Sequence, residues 1–250
     1  MRSPLVLAAL LALGCAHAPP QQGGYVARKA MAAELVRRGD WSQAFPLVQS
    51  LHAEDPADAD VVALRGIVYR EQGLLKEAQA DLEEAVRKLP RSAAAHAALG
   101  LLYDRVGRTG ESIAEHRKAV ELVPGNAGYL NNLGFSLFAH GRARDAVPVL
   151  QEALRADPTQ PRIRNNLGFA LARTGDFAGA AEQFQMGGTP AEAKNNLGFA
   201  YERQGNLAQA YQLYREAVRA DPALERARAN LDHAARKLGK PAVAEPDSRS

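Results

Sequence analysis

The stretch Asn131–Ala146, NNLGFSLFAHGRARDA, sets a glycine among apolar residues, a second glycine seven residues later and a small residue five beyond that. Gly134, Gly141 and Ala146 carry this spacing, and it recurs in both directions along the chain. Small residues at Ala32, Gly66, Gly100, Gly134, Gly168 and Gly198 are separated by 34, 34, 34, 34 and 30 residues. Gly39, Gly73, Gly107, Gly141, Gly175 and Gly205 follow seven residues after each, with Gly239 extending the series. Five residues further stand Ala44, Ala78, Ser112, Ala146, Ala180 and Ala210, and Pro56, Pro90, Pro124, Pro158 and Pro222 close the units. A fixed period of this length marks an array in which each repeat is one supersecondary unit.

Each mark has a physical reason. A glycine inside a helix costs about 1 kcal/mol against alanine, so its recurrence needs a packing cause. The expected cause is close approach of two antiparallel helices, with the glycine of the first meeting the small residue of the second. The turn glycine ends the first helix in a left-handed conformation, and the proline ends the second. Ala, Leu, Arg, Glu and Gln dominate the composition, and alternating β-branched runs are missing, so the chain reads as all-α. A helix–turn–helix of 34 residues with these marks resembles the tetratricopeptide repeat. That resemblance implies a right-handed α-solenoid with six units at 25–58, 59–92, 93–126, 127–160, 161–190 and 191–224. A capping helix is expected at 225–238 and a disordered polar tail at 239–250. The fifth unit is four residues short, so its second helix should stop at Gly187 and Gly188. Arg65 replaces the leucine of later units, and Trp41 is expected to anchor the core of the first.

The first fifteen residues, MRSPLVLAALLALGC, join a positive start at Arg2 to an apolar run from Leu5 to Leu13. Nine residues of helix span about 14 Å, roughly half the hydrocarbon core of a bilayer, which suits a signal peptide rather than a permanent span. Two processing routes fit. Signal peptidase I would cut after Ala16–Ala18, leaving Pro19 beside the scissile bond. The ending ALGC is instead similar to a bacterial lipobox, with residues 1–14 as leader and Cys15 as the lipidated residue. Ala12 and Leu13 depart from the commonest lipobox pattern. Multiple acyl chains at Cys15 would hold a membrane stably. Ala16, where an aspartate marks retention in the inner membrane, points to the outer membrane. Residues 15–24 then read as the lipidated cysteine and a flexible tether.

A net charge of +3 on 250 residues does not suggest a nucleic-acid binder. A single cysteine excludes an intrachain disulfide and a cysteine-cluster metal site. The six histidines show no metal-ligand spacing, and neither a phosphate-binding loop nor a nucleophile elbow is present. The sequence therefore points to a non-enzymatic protein that needs no cofactor, and to a protein or peptide partner.

In this repeat class the first helices line the concave face. Asn131 and Asn132 with Phe135, Asn165 and Asn166 with Phe169, and Asn195 and Asn196 with Phe199 would present amides and rings there, and Asn230 continues the series. A carboxamide donates and accepts at once, so Asn132, Asn166, Asn196 and Asn230 form a candidate ladder for a peptide backbone. Arg162, Arg173, Arg203 and Arg236 would favour an acidic or carboxylate-ended ligand. The alternative is that the amides bridge neighbouring helices and the rings pack as core. The first three units carry Ala30, Leu64 and Ala98 at the second position, which favours a ligand-reading C-terminal half.

The stretch LNNLGFSLFAHGRARDAVPVLQEAL, followed by a shortened unit and TPAEAKNNLGFAY, resembles the tetratricopeptide lipoproteins of Tad/Flp pilus assembly (TadD) over about residues 90–210. The type IV pilus pilotins (PilF or PilW) are the second family it resembles. Either resemblance implies an outer-membrane scaffold facing the periplasm that binds a secretin or another pilus component. A periplasmic co-chaperone or regulator would use the same groove on varied peptides.

Overall fold

The computed structural model describes residues 20–241. The leader, Cys15 and the tail beyond Pro241 lie outside the described residues. Thirteen helices and no strands are present among the described residues: α1 (Pro20–Arg38), α2 (Trp41–Glu54), α3 (Ala59–Gln72), α4 (Leu75–Lys88), α5 (Ala93–Val106), α6 (Thr109–Leu122), α7 (Ala127–Ala139), α8 (Ala143–Ala156), α9 (Pro161–Thr174), α10 (Phe177–Met186), α11 (Pro190–Arg203), α12 (Leu207–Ala220) and α13 (Glu225–Leu238). They form six hairpins and a closing helix, the all-α tetratricopeptide solenoid that the period implies. One boundary differs: α1 begins at Pro20, so residues 20–24 are helical where a tether was expected. None of the described helices is long and apolar enough to cross a membrane.

Local signals start and stop these helices. Asp58, Ser92, Asn126 and Thr189 cap first helices by accepting backbone N–H bonds, and Thr189 with Glu192 completes a capping box. The turn glycines all have positive φ, from 62° at Gly239 to 98° at Gly175, as the left-handed stop requires. At Gly73 the next residue closes the cap, with Leu74 N–H donating to Tyr69 C=O at 2.9 Å.

The hairpins are held differently from the expectation. A Cβ on Gly66, Gly100, Gly134, Gly168 or Gly198 would fall 2.5–2.8 Å from Leu82, His116, Leu150, Phe184 or Tyr214. The glycine therefore faces a large side chain sixteen residues on, one turn past the small residue, and at Gly198 the small residue is met as well, with Ala210 C=O at 3.3 Å. In the first unit both partners are compromised: Ala32 replaces the glycine, the smaller Val48 replaces the large residue, and both are fully buried. The small residues Ala44, Ala78, Ser112, Ala146, Ala180 and Ala210 are fully buried too. Burying a leucine such as Leu150 contributes about 1.5–3 kcal/mol, which outweighs the helix penalty of the glycine.

Two residues that depart from the pattern have their own solutions. Arg65 makes a bidentate pair with the buried Asp81, at 2.6 and 2.7 Å. Trp41 is half-buried, and its ring lies against the Gly39 turn rather than in the core of the first unit.

Each first helix touches the next first helix, from α1 with α3 to α11 with α13, whereas second helices share no such contact among the described residues. The first helices therefore line the inner, concave side and the second helices splay along the outside.

Gly134→Ala should lower stability by about 1–3 kcal/mol despite the better helix former, because the new methyl overpacks Leu150. Gly110 in α6 has open space around its Cβ position, so Gly110→Ala should instead stabilise by about 0.5–1 kcal/mol. Urea midpoints of the two variants read the difference, and equal shifts would remove the packing explanation.

Candidate functional site on the concave face

The repeated amides pair across units. Asn166 Nδ2 donates to Asn131 Oδ1 at 2.7 Å, Asn196 Nδ2 to Asn165 Oδ1 at 3.2 Å, and Asn230 Nδ2 to Asn195 Oδ1 at 2.9 Å. In each rung the second Asn of one unit gives an N–H to the first Asn of the unit before. Asn131 and Asn195 are buried, and their donors are half-buried. Asn165 also donates to Gly187 C=O at 3.3 Å, tying the early stop of α10 to α9.

This pairing explains the ends of the series. No unit follows the closing helix α13 among the described residues, and α13 keeps only the donor, Asn230, with Ala229 in the acceptor position. At the other end, α5 offers Ala97 where an acceptor amide would stand, so the Asn132 side chain makes no hydrogen bond among the described residues. The expected ladder of four ligand-reading amides thus becomes three rungs between helices and one unengaged amide. Each rung contributes about 0.5–1.5 kcal/mol net.

The rings build a cleft beside the rungs. Between α7, α9 and α11 the concave face opens a hollow of about 310 Å³ walled by Phe138, Phe169 and Phe199, with Arg173 and Arg203 also lining it. Phe169 lies 6.5 Å from Phe138 and 6.0 Å from Phe199, ring centre to ring centre, the latter pair nearly perpendicular. It also meets the fully buried Phe184 edge-on at 4.8 Å. Phe169 is therefore both core and wall. Phe199 is 42% exposed. Phe135, expected in the same row, is 41% exposed but lies outside the cleft lining, where Phe138 stands instead. Gln204 donates to the Ala172 and Arg173 carbonyls at 3.2 and 3.3 Å, fixing the end of α11 against α9.

Of the four arginines expected on this wall, Arg173 and Arg203 line the cleft, while Arg162 and Arg236 are exposed away from it. Neither Arg173 nor Arg203 has an acid partner among the described residues. Glu202 of α11 is engaged elsewhere, accepting from Tyr214 Oη at 2.7 Å and pairing with His233 at 3.4 Å. In the N-terminal half a hollow of about 370 Å³ is lined by Val26, Ala30, Ala33, Leu64 and Ile67 together with Lys29, Asp60 and Ser92. Lys29 is paired with Asp58 at 2.9 Å.

A buried polar cluster between the third and fourth units escaped the sequence reading. Asp104 accepts from Ser136 Oγ at 2.7 Å and bonds His116 Nε2 at 2.9 Å, while Ser112 and Ser136 meet at 3.1 Å. Serine, histidine and aspartate meet here, but the acid sits between the other two. No serine is bonded to the His116 ring, and the contact of Ser136 Oγ with His140 Nδ1 is long at 3.5 Å, while that nitrogen donates to the Ser136 carbonyl at 2.7 Å and so is not free to take a hydroxyl proton. The cluster's role is structural: His116 occupies the large-residue slot opposite Gly100, and its ring requires a polar partner. Burial alone would raise the Asp104 carboxyl, yet bonds from His116, Ser136 and Ser112 outweigh it and hold the group below its ordinary value.

A depressed carboxylate stabilises the fold above the unfolded value of about 3.9 and loses that contribution as pH falls through the folded value. Asp104→Ala should therefore cost about 1–3 kcal/mol at pH 7. In urea melts across acid pH, the gap between wild type and variant should close as the medium is acidified. A gap independent of pH would contradict the charged bonds at Asp104.

The relatives agree with this architecture. Profiles of the tetratricopeptide repeat match residues 35–102, 131–191 and 191–224, together more than half of the chain. No curated protein sequence matches it. Among solved structures, PilF of Pseudomonas aeruginosa superimposes with a TM-score of 0.66 at 17% identity, covering 86% of this chain and 100% of that one. YrrB, described as a tetratricopeptide-repeat protein with an unusual peptide-binding site, gives 0.56 at 22% identity, covering 72% and 95%. A tetratricopeptide-repeat protein of Parabacteroides merdae gives 0.60 at 16%, covering 85% and 92%. At these identities the likeness shows the fold alone. Proteins built this way are in general non-enzymatic scaffolds that bind protein or peptide partners. With the period, the hairpins and the concave wall in place, the chain belongs to the tetratricopeptide-repeat family.

Proposed function

We propose that the protein is a lipid-anchored scaffold of the bacterial outer membrane that assists assembly of a Tad/Flp-type pilus or a related secretion system. The observation that carries the reading is the aromatic cleft with two unpaired guanidinium groups on the concave face. It lies within the stretch that resembles the Tad lipoproteins. Cys15 supplies the anchor in this reading, and residues 25–238 present the groove to the periplasm. A role as a type IV pilus pilotin ranks second, supported by the match in fold and extent with PilF. A periplasmic co-chaperone is distinguished by its range of clients.

Affinity capture from detergent-solubilised envelopes tests the scaffold. Wild type should retain one dominant partner, a secretin or pilus component, and Phe199→Ala combined with Asn132→Ala should lose most of it. Many retained proteins would favour the co-chaperone, and an unchanged set in the folded variant would contradict docking on this face. Metabolic labelling with a fatty acid tests the anchor: wild type should take up label and Cys15→Ala should not, whereas equal label would overturn lipidation at Cys15.

A further inference from the structure

The cleft also defines the chemistry of what enters it. Arg105, Arg173 and Arg203 stand five residues after Gly100, Gly168 and Gly198, so they share one position in the repeat. In α5 that arginine is used between helices, with Arg105 Nη1 donating to Arg70 C=O at 2.6 Å. Over the cleft the same position carries Arg173 and Arg203, both exposed and neither tied to an acid among the described residues. A second hollow shares Gly141 and Arg173 with the cleft and adds Arg144, so the basic edge continues toward α8. Arg142 on that edge is already neutralised by Asp145 at 2.6 Å.

The apolar part is small. A hollow of about 310 Å³ stands at the floor of the range for small-molecule sites and fits one large side chain better than an extended ligand. The nearly perpendicular Phe169 and Phe199 rings present a face and an edge, the arrangement that accepts a third aromatic ring with a gain of about 0.5–1.5 kcal/mol beyond its buried area. A guanidinium beside an apolar hollow pairs a carboxylate in bidentate fashion.

We propose that the cleft takes a segment of a partner protein in which one aromatic or leucine side chain lies close to Asp or Glu. The apolar side chain enters between Phe138, Phe169 and Phe199, and the carboxylate binds Arg173 and Arg203. This rests on the reading of the concave face as the docking surface and names what that surface selects.

A random-peptide display library selected on the whole protein tests it. Enriched peptides should share Phe, Trp or Leu within about three residues, some 10 Å of extended chain, of an acid. A synthetic copy of the most enriched peptide should bind Arg173→Glu/Arg203→Glu at least about tenfold more weakly. It should also lose affinity as salt rises from about 0.05 to 0.3 M, since these charges are exposed. The same double variant, put through the selection, should recover peptides with Lys or Arg beside the same apolar residue, which a merely structural role would not produce. Thermal melts by circular dichroism verify that the variants fold.

Enriched peptides without acids overturn the proposal, as does an affinity unchanged by the charge reversal. So does enrichment of nothing, including the case where vesicles of anionic phospholipid bind wild type and not the double variant. Peptides that depend on Phe199 but not on the arginines overturn the carboxylate and leave the docking face standing. Peptides indifferent to Phe199 and to both arginines overturn the docking face as well.

Discussion

In five of the six units a side chain on the second helix lies where a Cβ on the first helix would have to be. Everything else in the solenoid depends on that contact. It brings the two helices of a hairpin together, and hairpins of one shape stack so that first helix meets first helix along the concave side. The slot tolerates changes of kind as long as the consequences are met. Leu82, Leu150 and Phe184 fill it with apolar groups. His116 and Tyr214 fill it with polar ones, and each finds an acid twelve residues upstream, Asp104 at 2.9 Å and Glu202 at 2.7 Å. The acid thus follows from the polar occupant of the slot, which is why a cluster of Ser, His and Asp arises here without catalytic order.

The same contact builds the floor of the cleft. Gly168 lets Phe184 into the hairpin of the shortened unit, and Phe184 supports Phe169 edge-on. Phe169 in turn separates Phe138 from Phe199 and presents its free side to the groove. The rungs from Asn131 to Asn166 and from Asn165 to Asn196 hold α7, α9 and α11 in register behind those rings. With α10 ending at Met186, the Asn165 bond to Gly187 takes over the tie that a missing helical turn would have made. Packing and hydrogen bonding in these three helices therefore fix the position of the two arginines that remain without partners.

The units, the turn glycines and the early stop of α10 were legible in the sequence because each is a backbone event that demands a particular residue. The partner of the packing glycine was not, because the slot holds Val48, Leu82, His116, Leu150, Phe184 or Tyr214, five residue types in six units. The small residue one turn earlier does repeat, and it drew the expectation to itself. The amide rungs were legible only as the alternative of bridging neighbouring helices, since each joins residues 31 or 35 apart that belong to different units. A signal was present: α13 has the second Asn without the first, as a donor with no following unit among the described residues requires. Where the amides are absent, α3 and α5 are joined instead by Arg70 donating to Ala98 C=O and Arg105 donating to Arg70 C=O. The exchange of Phe135 for Phe138 in the wall is a matter of one helical turn, which spacing alone does not resolve.

The most direct measurement is a double-mutant cycle between Gly168 and Phe184 by urea unfolding. Gly168→Ala and Phe184→Val should each destabilise, the first by overpacking and the second by leaving space, and the first unit already combines Ala32 with Val48. In the double variant the methyl should occupy the space the ring gives up, so the combined loss should fall short of the sum by about 1 kcal/mol or more. Additivity within about 0.3–0.5 kcal/mol would contradict the account, because it would mean that the glycine is not there for the ring.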